Sequence, residues 1–78
     1  MVNAYVLVQT EVGKAAGAAA RAIRAIDGVE WADDLAGPYD VIARVQAPGL
    51  DELGRLVVAR IQVVAGVTRT LTCMVIRR

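Results

Sequence analysis

Histidine is absent from this 78-residue sequence, phenylalanine is absent, and cysteine occurs once, at Cys73. Without histidine there is no default general base near neutral pH and no imidazole to hold a metal. A single cysteine excludes an internal disulfide and any CxxC redox or zinc motif. The aromatic residues Tyr5, Trp31 and Tyr39 are too few for a base-stacking platform. Excess charge of one sign is lacking too: nine basic and eight acidic side chains leave a formal net charge of +1. That offers no electrostatic footprint for nucleic acid or an acidic substrate. Long apolar runs are missing. The uncharged stretch from Val2 ends at Thr10, about half of the roughly 20 residues that a membrane-spanning helix needs. The N-terminus has neither the basic start nor the small-residue cleavage site of a signal peptide. The expectation is a soluble cytoplasmic chain with no membrane association, no cofactor and no metal. No triad, phosphate-cradling glycine loop or metal cluster can be assembled from these residues, so the chain is not expected to be an enzyme.

What is abundant is hydrophobicity, at 56% of residues. The length allows one domain, spanning 1–78, and a chain this short buries only about 60% of its unfolded surface on folding. Its apolar content therefore exceeds what a monomer can hide.

Six elements are legible. Ala4 to Gln9 is short, apolar and β-branched, as a buried strand is. From Gly13 to Ile26 the periodicity predicts an amphipathic helix: Lys14, Gly17, Arg21 and Arg24 form one face, and Ala16, Ala19, Ala20, Ile23 and Ile26 the other. Gly28 suits the left-handed position past a helix end. Val29 to Leu35 reads as a strand with Val29, Trp31 and Leu35 on one side and Glu30, Ala32 and Asp34 on the other, Asp33 interrupting. After Gly37-Pro38, Tyr39 to Gln46 is a third strand, forming a hairpin with the second. Leu50, Leu53, Leu56, Val57 and Ile61 predict a second helix to about Val63, and Val67 to Arg77 a last strand. The junction Ala25-Ile26-Asp27-Gly28-Val29 recurs as Val63-Val64-Ala65-Gly66-Val67. Two such interleaved halves predict a ferredoxin-like α+β sandwich of order βαββαβ, a four-stranded antiparallel sheet with two helices on one face. The strands are apolar on both sides, so the uncovered face needs a cover, and a homodimer packed sheet to sheet supplies one.

Three features carry the candidate chemistry. Gly37-Pro38-Tyr39-Asp40 is a hairpin turn whose Asp side chain can bond neighbouring N–H groups. It also presents a carboxylate and free turn amides that can hold the ends of an amino acid, and the two readings are compatible. Thr68, Thr70 and Thr72 alternate along the last strand, either as ordinary strand residues or as a polar wall for a small ligand. Arg44 is a charge inside an apolar strand, which either pairs with an acid across the sheet or marks a wet interface. Cys73, with no activating neighbour, reads as a buried structural thiol.

The element order, the hairpin Gly37-Pro38-Tyr39-Asp40-Val41-Ile42 and the ending Gly66-Val67-Thr68-Arg69-Thr70-Leu71-Thr72 together resemble the effector-binding domain, or RAM module, of the Lrp/AsnC transcription regulators. The resemblance covers Ala4 to Ile76. It implies a sheet-to-sheet homodimer, assembly of dimers into a ring such as an octamer, and an amino-acid effector in clefts between dimers. Gly37, Tyr39 and Asp40 would help form the cleft, Thr70 and Thr72 would add hydroxyls, and Asp51 and Glu52 lie where some relatives have a side-chain-selecting acid. Full regulators carry an N-terminal helix-turn-helix, whereas here the first strand starts near Asn3. The expectation is a stand-alone module with no direct DNA binding, which can co-assemble with a full-length Lrp/AsnC regulator. Competing readings are a purely structural oligomerisation module, a small dimeric αβ-barrel enzyme and the ACT domain.

Overall fold

Along the middle of β1, Val2–Thr10, every second residue is completely buried: Ala4, Val6 and Val8. The computed structural model describes residues 1–11 and 16–77, without the side chain of Ala16. In chain order the elements are β1, α1 (Ala16–Arg24), β2 (Val29–Asp34), β3 (Val41–Ala47), α2 (Leu50–Arg55) and β4 (Val67–Met74). A π-helical segment, Leu56–Ile61, extends α2 directly. The strands form an antiparallel sheet of order β2-β3-β1-β4. This is the βαββαβ architecture that the sequence predicts. The expected helix start at Gly13 and the place of Lys14 on its polar face lie outside the described residues.

The period-2 pattern of β3 repeats that of β1, with Val41, Ala43, Val45 and Ala47 buried beneath the helices. Ala19, Ala20 and Ile23 of α1 and Ile26 beyond it seal that surface, the alanines allowing α1 to lie close over β2 and β3. Leu53, Val57 and Ile61 seal it from the other helix.

The internal repeat is realised bond for bond. Val29 N–H donates to Ile26 O and Val67 N–H to Val64 O, each at 3.1 Å. Gly28 and Gly66 both take positive φ, 95° and 90°. The carbonyl of each then accepts from an adjoining segment at 2.8 Å, Gly28 from Gln46 and Gly66 from Glu11.

Three expectations need correction. In β2, Val29 does not share a face with Trp31: the register with β3 slips between them at Glu30. The bulge turns Val29 and Ala32 toward the core and Trp31 outward. Leu50 is 66% exposed instead of lying on the core face of α2. Cys73 is exposed, because β4 is an edge strand and none of the described residues covers its outer side.

Candidate functional site

The helices do not cover the whole inner face of the sheet. α1 lies over β2 and β3 and α2 over β3, which leaves the helix side of β4 open. The strand register places Thr70, Thr72 and Met74 opposite Val8, Val6 and Ala4, so these three stand on the helix side. Together with α2 they bound an open groove of about 370 Å3, within the range of small-molecule sites. Leu50, Leu53, Gly54, Val57 and Val58 form its helical wall. Gln62, just past the π-helical segment, closes one end and donates from Nε2 to Thr70 Oγ1 at 2.9 Å. The π-helical segment carries the chain past β4 with Val57 and Ile61 still buried and Val58 exposed. Among the described residues no charged side chain lines the groove.

The structure separates the residues that the sequence nominates. Thr70 and Thr72 are in the groove wall. Gly37, Tyr39 and Asp40 lie on the β2–β3 hairpin and are not part of it. β1 stands between them and β4. Asp51 follows Leu50 in the first turn of α2, exposed and outside the wall. Thr68 sits where the β1–β4 register shifts, and its hydroxyl donates to Gln9 O at 3.1 Å. Sequence reasoning misses Gln62; its position just after the apolar run is the one available signal.

Asp40 has a defined structural task. Its Oδ2 accepts from the Thr10 N–H at 2.7 Å and from the Thr10 hydroxyl at 3.0 Å, while its own N–H donates to Val8 O at 2.8 Å. This braces the hairpin against the end of β1. Gln9 Nε2 adds a bond to Pro38 O at 3.2 Å. Asp40→Ala leaves the partly buried Thr10 donors without their acceptor and should cost about 1–3 kcal/mol. Urea denaturation checks this, and an unchanged midpoint would show that the brace contributes nothing.

The opposite face of the sheet carries a second cluster. Cross-strand register aligns Leu71, Leu7 and Ile42 in one row and Cys73, Tyr5, Arg44 and Trp31 in the next. Arg44 does pair with an acid across the sheet, its Nε lying 3.4 Å from Glu30 Oε1. Its Nη1 also donates to the Tyr5 hydroxyl at 2.8 Å, with the guanidinium 5.2 Å from the Tyr5 ring centre. Trp31 packs against Tyr5 at 6.1 Å between centroids. The Glu30 bulge thus supplies the acid for Arg44 and presents Trp31 beside it. Among the described residues no cluster of His, Cys, Asp or Glu is arranged to hold a metal. No described helix is long and apolar enough to cross a membrane.

Comparison with known proteins places this geometry in context. The model of the Lrp/AsnC ligand binding domain matches residues 3–78. The protein TTHA0845 of Thermus thermophilus is 32% identical, with a TM-score of 0.90 over 100% of this chain and 96% of that one. A transcriptional regulator of Neisseria meningitidis, solved in complex with L-Met, shares the fold at 18% identity. Its TM-score is 0.85, over 97% of this chain and 50% of its own. A homocitrate synthase of Sulfurisphaera tokodaii is 30% identical over 77 residues, which are 99% of this chain but 16% of that enzyme.

Proposed function

The chain belongs to the Lrp/AsnC ligand binding domain family, and from that premise we propose that it is an effector-binding and oligomerisation module that takes a small molecule of amino-acid type in the groove between α2 and β4. The observation that carries this reading is the groove itself: an apolar, small-molecule-sized cleft with Thr70 and Thr72 in its wall. Those two threonines stand at the positions of the family's Thr-x-Thr motif. An amino acid also needs partners for its charged ends, and the described residues of the groove wall supply none. Gly37, Tyr39 and Asp40 lie beyond β1 in the same chain, so a complete site draws on a neighbouring copy. That agrees with effector clefts between dimers in a ring such as an octamer.

The sheet face opposite the helices supplies the dimer contact in this reading. Trp31 and Leu71 are exposed there and Tyr5, Leu7 and Ile42 are half-buried, a Trp/Tyr/Arg-containing apolar patch of the kind that dominates interface energetics. The module is itself non-catalytic and cytoplasmic, and with a net charge of +1 it does not bind DNA directly. Its output passes through a protein partner. A full-length Lrp/AsnC regulator that co-assembles with it is one such partner. The match within a homocitrate synthase favours a second: a biosynthetic enzyme on which the module acts as a regulatory subunit.

A thermal-shift screen of the twenty amino acids tests the effector reading. A ligand about fivefold above its Kd contributes about 1 kcal/mol, which should raise Tm by about 4–8 °C in a domain of this size. No shift with any amino acid at millimolar concentration would leave only the structural oligomerisation role.

A further inference from the structure

Gly54 sits inside the continuous helix formed by α2 and its π-helical extension, the one position in the helical wall of the groove without a side chain. Glycine is the poorest helix former after proline, so a glycine there needs a reason. The backbone supplies none, because among the described residues only Gly28 and Gly66 take positive φ. Packing supplies none either, because among the described residues a Cβ at Gly54 would meet no atom within 4 Å beyond its chain neighbours and its own helix backbone. The room that the missing methyl leaves opens into the groove.

The polar chemistry of the groove is equally restricted. Thr70 Oγ1 accepts from Gln62 Nε2, so its own proton is directed elsewhere. Gln62 Oε1 has no hydrogen-bond donor among the described residues. Together they offer a neutral donor and a neutral acceptor at one end of an otherwise apolar cleft. A charged group entering it would lose hydration with no counter-charge to meet it.

We infer that Gly54 and Gln62 set the selectivity of the groove: it admits an uncharged, flexible aliphatic or thioether side chain and rejects a charged one. Gly54 determines the size accepted and Gln62 the polarity. The inference rests on the effector reading above and adds the class of side chain. The ammonium and carboxylate of the ligand remain outside the groove, where water or a second copy meets them.

Isothermal titration of the full chain with L-leucine, L-methionine, L-lysine and L-glutamate tests it. The better neutral ligand should bind at least tenfold more tightly than either charged one. Gly54→Ala should raise Tm by about 2–8 °C through its better helix propensity and yet weaken that neutral ligand at least tenfold. Gln62→Glu should shift the preference toward L-lysine by at least tenfold. Opposite signs for stability and affinity at Gly54 separate a ligand-related glycine from a merely structural one. A neutral-over-charged preference below tenfold overturns the inference, as does a Gly54→Ala variant with unchanged affinity or lowered Tm, or a Gln62→Glu variant with unaltered preference. Binding of charged amino acids alone overturns the inference and leaves the effector reading standing. Failure of all four probes to bind at millimolar concentration overturns the inference, and the effector reading falls with it if the full amino-acid screen is also negative.

Discussion

Gly28→Ala is expected to destabilise the fold by about 2–5 kcal/mol, a large effect for a single added methyl group. Two independent strains add at this position. The residue has φ of 95°, a region where an L side chain costs about 1–2 kcal/mol. The added Cβ would also lie 2.9 Å from the Gln46 carbonyl oxygen and 2.5 Å from Leu56 Cδ1, and such overpacking typically costs about 1–3 kcal/mol. Leu56 can rotate away, but the Gln46 oxygen belongs to β3. It cannot move without disturbing the backbone bond between Gln46 N–H and Gly28 O. At roughly 0.05–0.15 kcal/mol per residue, a domain of this length has only about 4–12 kcal/mol in total. The measurement is the urea midpoint, with Gly37→Ala as control. Gly37 has no positive φ and open space around its Cβ position, so its change should fall within about 0.5 kcal/mol. Equal midpoints for Gly28→Ala and the unsubstituted chain would contradict this account of the helix–strand junction.

Leu71→Asp is expected to convert a dimer into a monomer without unfolding it. Leu71 is 46% exposed in the single chain, so an aspartate there remains hydrated as long as the chain is alone. In a sheet-to-sheet dimer the same carboxylate is desolvated among Leu7, Ile42 and their counterparts. An unpaired interfacial charge costs about 2–5 kcal/mol, which corresponds to a weakening of roughly 30- to 4000-fold. A two-fold interface places the substitution on both copies. Light scattering at micromolar concentration should give an even multiple of the chain mass for the unsubstituted protein, twofold for the dimer and more where dimers close into a ring, and the single mass for the variant. A monomeric unsubstituted protein, or a variant that stays dimeric, would sink the sheet-face interface.

The parts of the structure that are legible in the sequence are those where local pattern and tertiary environment agree. The apolar, β-branched run Ala4 to Gln9 marks β1, and burial alternates along it at Ala4, Val6 and Val8 because helices cover one face only. Ala19, Ala20 and Ile23 mark the buried stripe of α1, and the paired Gly28-Val29 and Gly66-Val67 junctions disclose the two halves. Legibility fails where geometry departs from a regular period. The bulge at Glu30 adds a residue to β2 and reverses the face of everything beyond it, which no period-2 pattern can register. The π-helical stretch Leu56–Ile61 changes the turn to i→i+5, seen in the bond from Gln62 N–H to Val57 O at 2.9 Å. Leu56, at the start of that stretch, is half-buried and still packs against the core, as the helical spacing predicts.

The candidate site is half legible for a similar reason. Thr70 and Thr72 announce a polar strip, and the Gly37–Asp40 hairpin announces exposed turn chemistry. Their separation by β1 is a matter of strand order, and the groove exists because α2 lies over β3 and leaves β4 open. Neither follows from residues taken in sequence. The excess hydrophobicity shows the same partition. Part of it lies on the outer sheet face at Leu71 and Trp31, as the strand patterns imply. Another part lies in the groove, at Leu50, Val58 and Met74, on the side that the helices are expected to seal.

The central claim is that this groove holds the effector. Methyl-resolved NMR during titration, with the amino acid giving the largest thermal shift, tests it most directly. Saturable shifts of the Val57, Val58 and Met74 methyl resonances, with those of Leu7, Ile42 and Leu71 unmoved, are the predicted result. Shifts confined to Leu7, Ile42 and Leu71, or no saturable shift at millimolar ligand, would contradict it.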